Sequence, residues 1–195
     1  MASDLSDVEL MLAVRRGEKD AFRDLVERHK TSVINVIYRQ IGDRWEAEDL
    51  AQRVFIQVYH SADRYKPSAK FTTWLYTIVR NTTLNEIRRR HRHKAESLDL
   101  IQDGTEDSPG KTVADQHTTN PVAETLENEL ENKIRSVIQS LPEDQRVAII
   151  LLRYEERSYE EIAQVLRCSV GATKSLIHRA RETLKAQLKP YLEGK

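Results

Sequence analysis

The chain holds one cysteine, Cys168. An internal disulfide and a zinc site built from several thiolates are therefore excluded, and Cys168 reads as a small apolar residue packed in a turn. Glycines number six and prolines five, and period-two alternation of β-branched residues is almost absent. Both facts point to an all-α protein. No apolar run approaches the length of a membrane span, and the opening MASDLSDVEL does not set a basic segment before an apolar one. A cytoplasmic protein without signal peptide or membrane insertion is expected. Phosphate-cradling glycine loops, an HExxH helix and nucleophile motifs are also missing, so neither catalytic residues nor a cofactor is expected. His91 and His93 stand two apart with no further ligands nearby, which argues against a metal.

With 31 basic and 31 acidic residues the formal net charge is zero, and nothing global announces nucleic acid. The distribution is another matter. Arg80, Arg88, Arg89, Arg90, Arg92 and Lys94 face only Glu86, whereas from Ala95 to Asn132 ten acidic residues face the single Lys111. Basic and acidic blocks are segregated along the chain. Its 195 residues suffice for two small helical domains, each able to bury a core.

Ser6 and Glu9 form a capping box for a short helix that carries Val8, Met11 and Leu12 and stops at Gly17. It is expected as a lid and not as a core element. From Glu18 to Gln40 the apolar spacing is helical, ending near Gly42. A third helix follows from Trp45 to Ser61. Ala47, Leu50, Ala51, Val54 and Val58 share its inner side, while Asp49, Gln52, Arg53 and Ile56, with part of Phe55, crowd the other. Such a mixed patch suits a protein partner, although single exposed apolar residues are common.

After the connector RYKPSA, the segment KFTTWLYTIVRNTTLNEIRRRHRH gathers Phe71, Trp74 and Tyr76 beside Thr72 and Thr73 and ends in arginines. Two readings stand. The rings and guanidinium groups have the ingredients of a platform for single-stranded nucleic acid, or the rings are core and the arginines merely suit a helix C-terminus. Residues 95–120, rich in acids and turn formers, read as a flexible acidic linker. Pro121 opens a further helix with a stripe from Val122 to Leu141, and Pro142 opens another, whose Val147, Ile150, Leu151 and Tyr154 are free to pack onward.

The last stretch, Ser158 to Leu188, reads as two helices and a tight turn. Ser158 and Glu161 make a capping box, Arg167 and Cys168 form the break, and Ser169 caps the second helix. Thr173, Ile177, Ala180, Leu184 and Leu188 share a face to be buried. Lys174, His178, Arg181 and Lys185 share another, flanked by Ser175 and Arg179. A recognition helix in a major groove needs such cations and short donors, although many helical hairpins only pack and many basic faces are only solvated. A dimeric helix-turn-helix regulator would use this half, yet no long heptad seam offers a dimer interface.

Four stretches in this order resemble a bacterial extracytoplasmic-function (group IV) sigma factor of RNA polymerase. They are AEDLAQRVFIQVY at Ala47 to Tyr59, FTTWLYTIVRNTTLNEIRRR at Phe71 to Arg90, LPEDQRVAIILLRYEERSYEEIAQVL at Leu141 to Leu166, and CSVGATKSLIHRARETL at Cys168 to Leu184. The resemblance implies a sigma-2 helical bundle over residues 1–94 and a sigma-4 domain with helix-turn-helix over 121–195, joined by the linker. It implies binding of core RNA polymerase by Asp49, Gln52, Arg53, Phe55 and Ile56. It implies minus-10 recognition and melting by Phe71, Thr72, Thr73, Trp74, Tyr76, Arg80, Asn81, Asn85 and Arg88. Minus-35 recognition would fall to Lys174, Ser175, His178, Arg179 and Arg181, and contact with the polymerase flap tip to exposed apolar groups near Ile149 and Leu152. Arg53 departs from the acidic residue common in the family, and Leu176 from a frequent arginine. A non-enzymatic promoter-specificity factor is implied, monomeric when free and controlled by an anti-sigma protein in a stress or envelope response.

Overall fold

A computed structural model describes residues 5–102 and 126–193. Among these, eight α-helices and one short 3-10 turn account for the regular structure, with no strand. The first group comprises α1 (Asp7–Arg15), α2 (Lys19–Ile41), α3 (Arg44–His60), the turn Ala62–Arg64 and α4 (Phe71–Gln102). The second comprises α5 (Leu126–Ser140), α6 (Glu143–Tyr154), α7 (Tyr159–Leu166) and α8 (Val170–Glu193). Helix α4 continues eight residues past Lys94. Most of the acidic segment expected as a linker, from residue 103, and the helix start expected at Pro121 lie outside the described residues.

Local chemistry sets the helix ends. Ser6 and Ser158 each close a reciprocal capping box with Glu9 and Glu161, which satisfies two otherwise orphaned amides per helix. The Asp43 side chain accepts from the Glu46 N–H at 3.0 Å and starts α3. Gly42, with φ of 84°, ends α2 in the left-handed region that favours glycine. The space a Cβ would need there is taken by the Gln139 side chain of the second group.

Helix α1 is not a lid. Leu10, Met11, Ala13 and Val14 are all buried, and Asp7 ties the helix to α2 through Arg28 at 2.6 Å and His29 at 2.9 Å. Of the three residues expected on its apolar side, Met11 is fully buried while Val8 and Leu12 are only half-buried. Burying two side chains the size of leucine and methionine favours this packing by roughly 1.5–3 kcal/mol each.

The two groups pack against each other, α4 on α7 and α2 on α5 and α6. Their buried residues form one contiguous core. At the seam Arg146 donates to the Gln40 carbonyl at 2.9 Å, Arg39 stacks on Tyr154 at 3.9 Å and Arg135 on Tyr38 at 4.9 Å.

Candidate polymerase and promoter interfaces

The outer face of α3 is open. Asp49, Gln52, Arg53 and Ile56 are all exposed, Ile56 by 57%. Arg53 pairs with Asp49 at 2.7 Å, one helical turn away. Phe55, placed by sequence partly among these, is only 8% exposed. It lies instead in an apolar groove between α2 and α3, about 880 Å³, with Phe22, Val26, Ile34, Ile56 and Tyr59. Helical spacing explains the shift: Phe55 follows Ala51 by four residues and so turns inward. Trp45 is 77% exposed at the start of α3. Sequence reasoning missed Trp45 and the α2 side of the groove. Phe22 and Val26 sit within an amphipathic repeat that looks like ordinary core until the helices are paired.

The start of α4 differs from a ready-made base platform. Phe71 is buried between His29, at 5.4 Å between ring centroids, and Tyr65, at 6.2 Å. Trp74 leans on both Tyr65 and Phe71. Thr73 is buried as well. The expectation that Phe71 and Thr73 face nucleic acid therefore does not hold in this conformation: Phe71 belongs to an aromatic cluster, and Thr73 is turned into the interior. Thr72, Trp74, Arg80 and Asn81 are half-buried, and Asn85 and Arg88 are exposed. Tyr76 is 2% exposed, covered by the second helical group. Further along, Glu86 accepts from Arg89 at 2.6 Å. That bond holds its carboxyl below the ordinary range, with burial opposing and Arg53 assisting.

In the second group, Arg167 ends α7 in the left-handed region with φ of 55°, and the Ser169 side chain accepts from the Ala172 N–H at 3.1 Å. This tight junction turns α8 so that Thr173, Ile177 and Ala180 are buried. Lys174, Ser175, His178, Arg179 and Arg181 are all exposed. The Cys168 thiol lies 3.3 Å from the Thr173 hydroxyl, inside the turn. No cluster of potential metal ligands occurs among the described residues.

Two family descriptions match the chain, Sigma-70 region 2 over residues 25–93 and Sigma-70 region 4 over residues 131–184. The RNA polymerase sigma-H factor of Pseudomonas aeruginosa is 36% identical over 98% of both chains. The ECF RNA polymerase sigma factor SigW of Bacillus subtilis is 37% identical over 90% of this chain and 93% of its own.

The chain belongs to the extracytoplasmic-function sigma factors.

It is accordingly not an enzyme: it binds core RNA polymerase and directs it to promoters at transcription initiation. Among solved structures, CnrH in complex with the cytosolic domain of CnrY is similar with a TM-score of 0.66 and 25% identity, over 94% of this chain and 97% of that one. RpoE of Bartonella quintana, in complex with the anti-sigma factor NepR, shares the fold with a TM-score of 0.65 and 24% identity, over 86% of this chain and 96% of that one.

The interior of this sigma factor corrects one further expectation. Ile149, expected as an exposed flap contact, is 7% exposed and Leu152 half-buried. Both help pack α6, which is sandwiched between α2 and α8. No helix among the described residues is long and apolar enough to cross a membrane.

Proposed function

We propose that the chain works as two readers on one tool in the cytoplasm, monomeric when free. Residues 1–94 dock on the polymerase clamp through Asp49, Gln52, Arg53 and Ile56, with Phe55 as the floor of the adjoining groove. The same domain melts the minus-10 element with Thr72, Trp74, Tyr76, Arg80, Asn81, Asn85 and Arg88, while Phe71 and Thr73 hold the helix in place behind them. Residues 121–195 read the minus-35 element through Lys174, Ser175, His178, Arg179 and Arg181, and residues 95–120 link the two.

The observation that carries this reading is the exposed outer face of α8, where five hydrogen-bonding or basic side chains stand out from a helix whose other side buries Thr173, Ile177 and Ala180. A helix end placed by a tight turn, with cations for phosphates and short donors for base edges, has the form of a major-groove reader. Its test is in vitro transcription with core polymerase on a genomic library. Transcripts should start downstream of a shared pair of upstream elements, and alanine at Arg179 and Arg181 should abolish that selection. Random initiation would refute the assignment.

Control by an anti-sigma protein rests on the similarity to CnrH, solved with the cytosolic domain of CnrY, and on the apolar groove between α2 and α3, which offers a helix of a partner a place to lie. Copurification of the tagged chain from cells, with and without Ile56→Asp, tests whether such a partner and the polymerase share this face.

A further inference from the structure

The run Arg88, Arg89, Arg90 reads in sequence as three equivalent cations. Tertiary structure separates them. Arg88 turns to Glu143 of α6 at 3.3 Å. Arg89 and Arg90 turn back along α4 to Glu86, a carboxylate only 6% exposed. Arg89 donates to it twice, at 2.6 and 3.0 Å, and the Arg90 Nε lies 3.6 Å from its Oε1. An acid one turn before its bases is the favourable order along a helix. The same carboxylate also faces α3. Arg53 brings its Nη1 to 3.7 Å from Glu86 Oε2, while its Nη2 binds Asp49 at 2.7 Å. One guanidinium therefore spans a buried acid behind it and an exposed acid beside it. Arg90 in turn reaches Glu46 of α3.

We propose that Glu86 is a positioning residue for polymerase docking, one that holds the Arg53 guanidinium from behind and, through Arg53, the Asp49 carboxylate in the arrangement that the outer face of α3 presents. Glu86 is buried and does not reach that face itself. It acts through Arg53.

The physical need is for order. Arg53 and Asp49 side chains are each 54% exposed, and a pair on an open helix face is worth little when both partners are free to move. A long side chain that is already held loses less rotamer freedom when a partner arrives, which is the general benefit of preorganisation. Arginine suits the task because its planar fork offers separate edges to two acids, where the ammonium of lysine is a single point. A carboxylate withdrawn from water needs cations in return, and Arg89 and Arg90 supply them from α4, leaving the far edge of Arg53 for Asp49. The packing of α3 on α4 does not hang on Glu86 alone. The two helices share the buried core, and Thr82 donates to Gln57 across the same seam at 3.3 Å.

This inference rests on the clamp assignment made above, and a double-mutant cycle separates the two. Dissociation constants for core polymerase are measured for the full-length wild type, Glu86→Gln, Arg53→Ala and the pair, with urea melts of each. Either single change should weaken binding about fivefold, and the pair should bind within about twofold of Arg53→Ala alone. If Glu86→Gln costs as much without Arg53 as with it, Glu86 is a structural group only and the proposal is overturned. Unchanged affinity of Glu86→Gln overturns it too. Wild-type affinity of Arg53→Ala would instead refute the docking assignment of Arg53, and the inference with it. The second arm leaves Glu86 in place, so it decides even where Glu86→Gln does not fold. In free Asp49→Asn, altered only at an exposed side chain, nitrogen NMR relaxation at the Arg53 Nε should still report an ordered guanidinium, because Glu86 holds it from behind. A guanidinium as mobile there as one in open water would overturn the proposal.

Discussion

The Tyr76 hydroxyl donates to Glu155 across 79 positions of sequence, and the two residues belong to different helical groups. Burial first, and then Glu155, pushes the Tyr76 phenol well above its ordinary value, with Arg157 and Ser32 opposing. One hydroxyl therefore joins α4 of the first group to the α6–α7 loop of the second.

Replacing Tyr76 by Phe should leave the ring packing intact and lower stability by about 1 kcal/mol, the effect of removing one of the two hydroxyl donors, Tyr76 and Ser32, to a half-buried carboxylate. Because the folded-state value of the phenol is raised, its contribution is whole below the ordinary tyrosine value of about 10 and is lost only as pH rises through the higher one. Urea melts should show the same wild-type advantage from about pH 6 to pH 9.

Asp7 supplies the opposite sign. Its carboxyl is held below 3.8, chiefly by the His29 hydrogen bond, with burial opposing and Arg28 adding. A depressed carboxylate stabilises the fold above its unfolded value and ceases to do so as pH falls through the folded one. Asp7→Asn should therefore weaken the protein by about 1–3 kcal/mol near neutral pH, and the gap from wild type should narrow on acidification below about pH 4.

On α3, Ile56→Asp should barely change the melting temperature, since the side chain is largely in water. Affinity for core polymerase should fall by at least roughly tenfold, as expected for an apolar anchor at an interface centre. Native gels with core enzyme measure it.

For α8, alanine at Lys174, Arg179 and Arg181 together should flatten the salt dependence of promoter binding by holoenzyme. Each lost phosphate contact lowers the logarithmic slope by about 0.9. A titration from low to moderate salt gives the slope directly, and an unchanged slope would mean that these cations do not meet the backbone.

The turn before α8 offers a stabilising change. Arg167 adopts φ of 55° with an exposed side chain, a conformation costing a non-glycine residue about 1 kcal/mol. Arg167→Gly should raise stability by a few tenths to 1 kcal/mol in thermal melts, with promoter selection preserved.

Much of the fold was legible because its signals are local. The Ser6 and Ser158 capping boxes, Gly42 and the spacing of Thr173, Ile177 and Ala180 act over a single turn or face of helix, so reading them requires no partner. The same held for the cations of α8, whose exposure follows once the opposite face is known to be buried. Phe71 and Phe55 were harder. An aromatic residue beside charges satisfies equally a stacking platform and a core, and only the positions of His29, Tyr65 and the α2–α3 groove resolve which. Helix α1 misled for a related reason: a short helix with few large apolar residues looks dispensable until α2 closes over Leu10 and Met11.

By itself, then, the amino-acid order determined helix content, most helix ends and the side-chain chemistry along each helix face, since these depend on neighbours within about four residues. Tertiary structure decided access. That Arg80 meets Asp144 and Tyr76 meets Glu155 depends on how two helical groups dock. That docking is settled by shape at Gly42 and Gln139, by the Arg146 bond to the Gln40 carbonyl and by a buried seam. Contacts between residues so far apart in the chain leave no periodic trace in it.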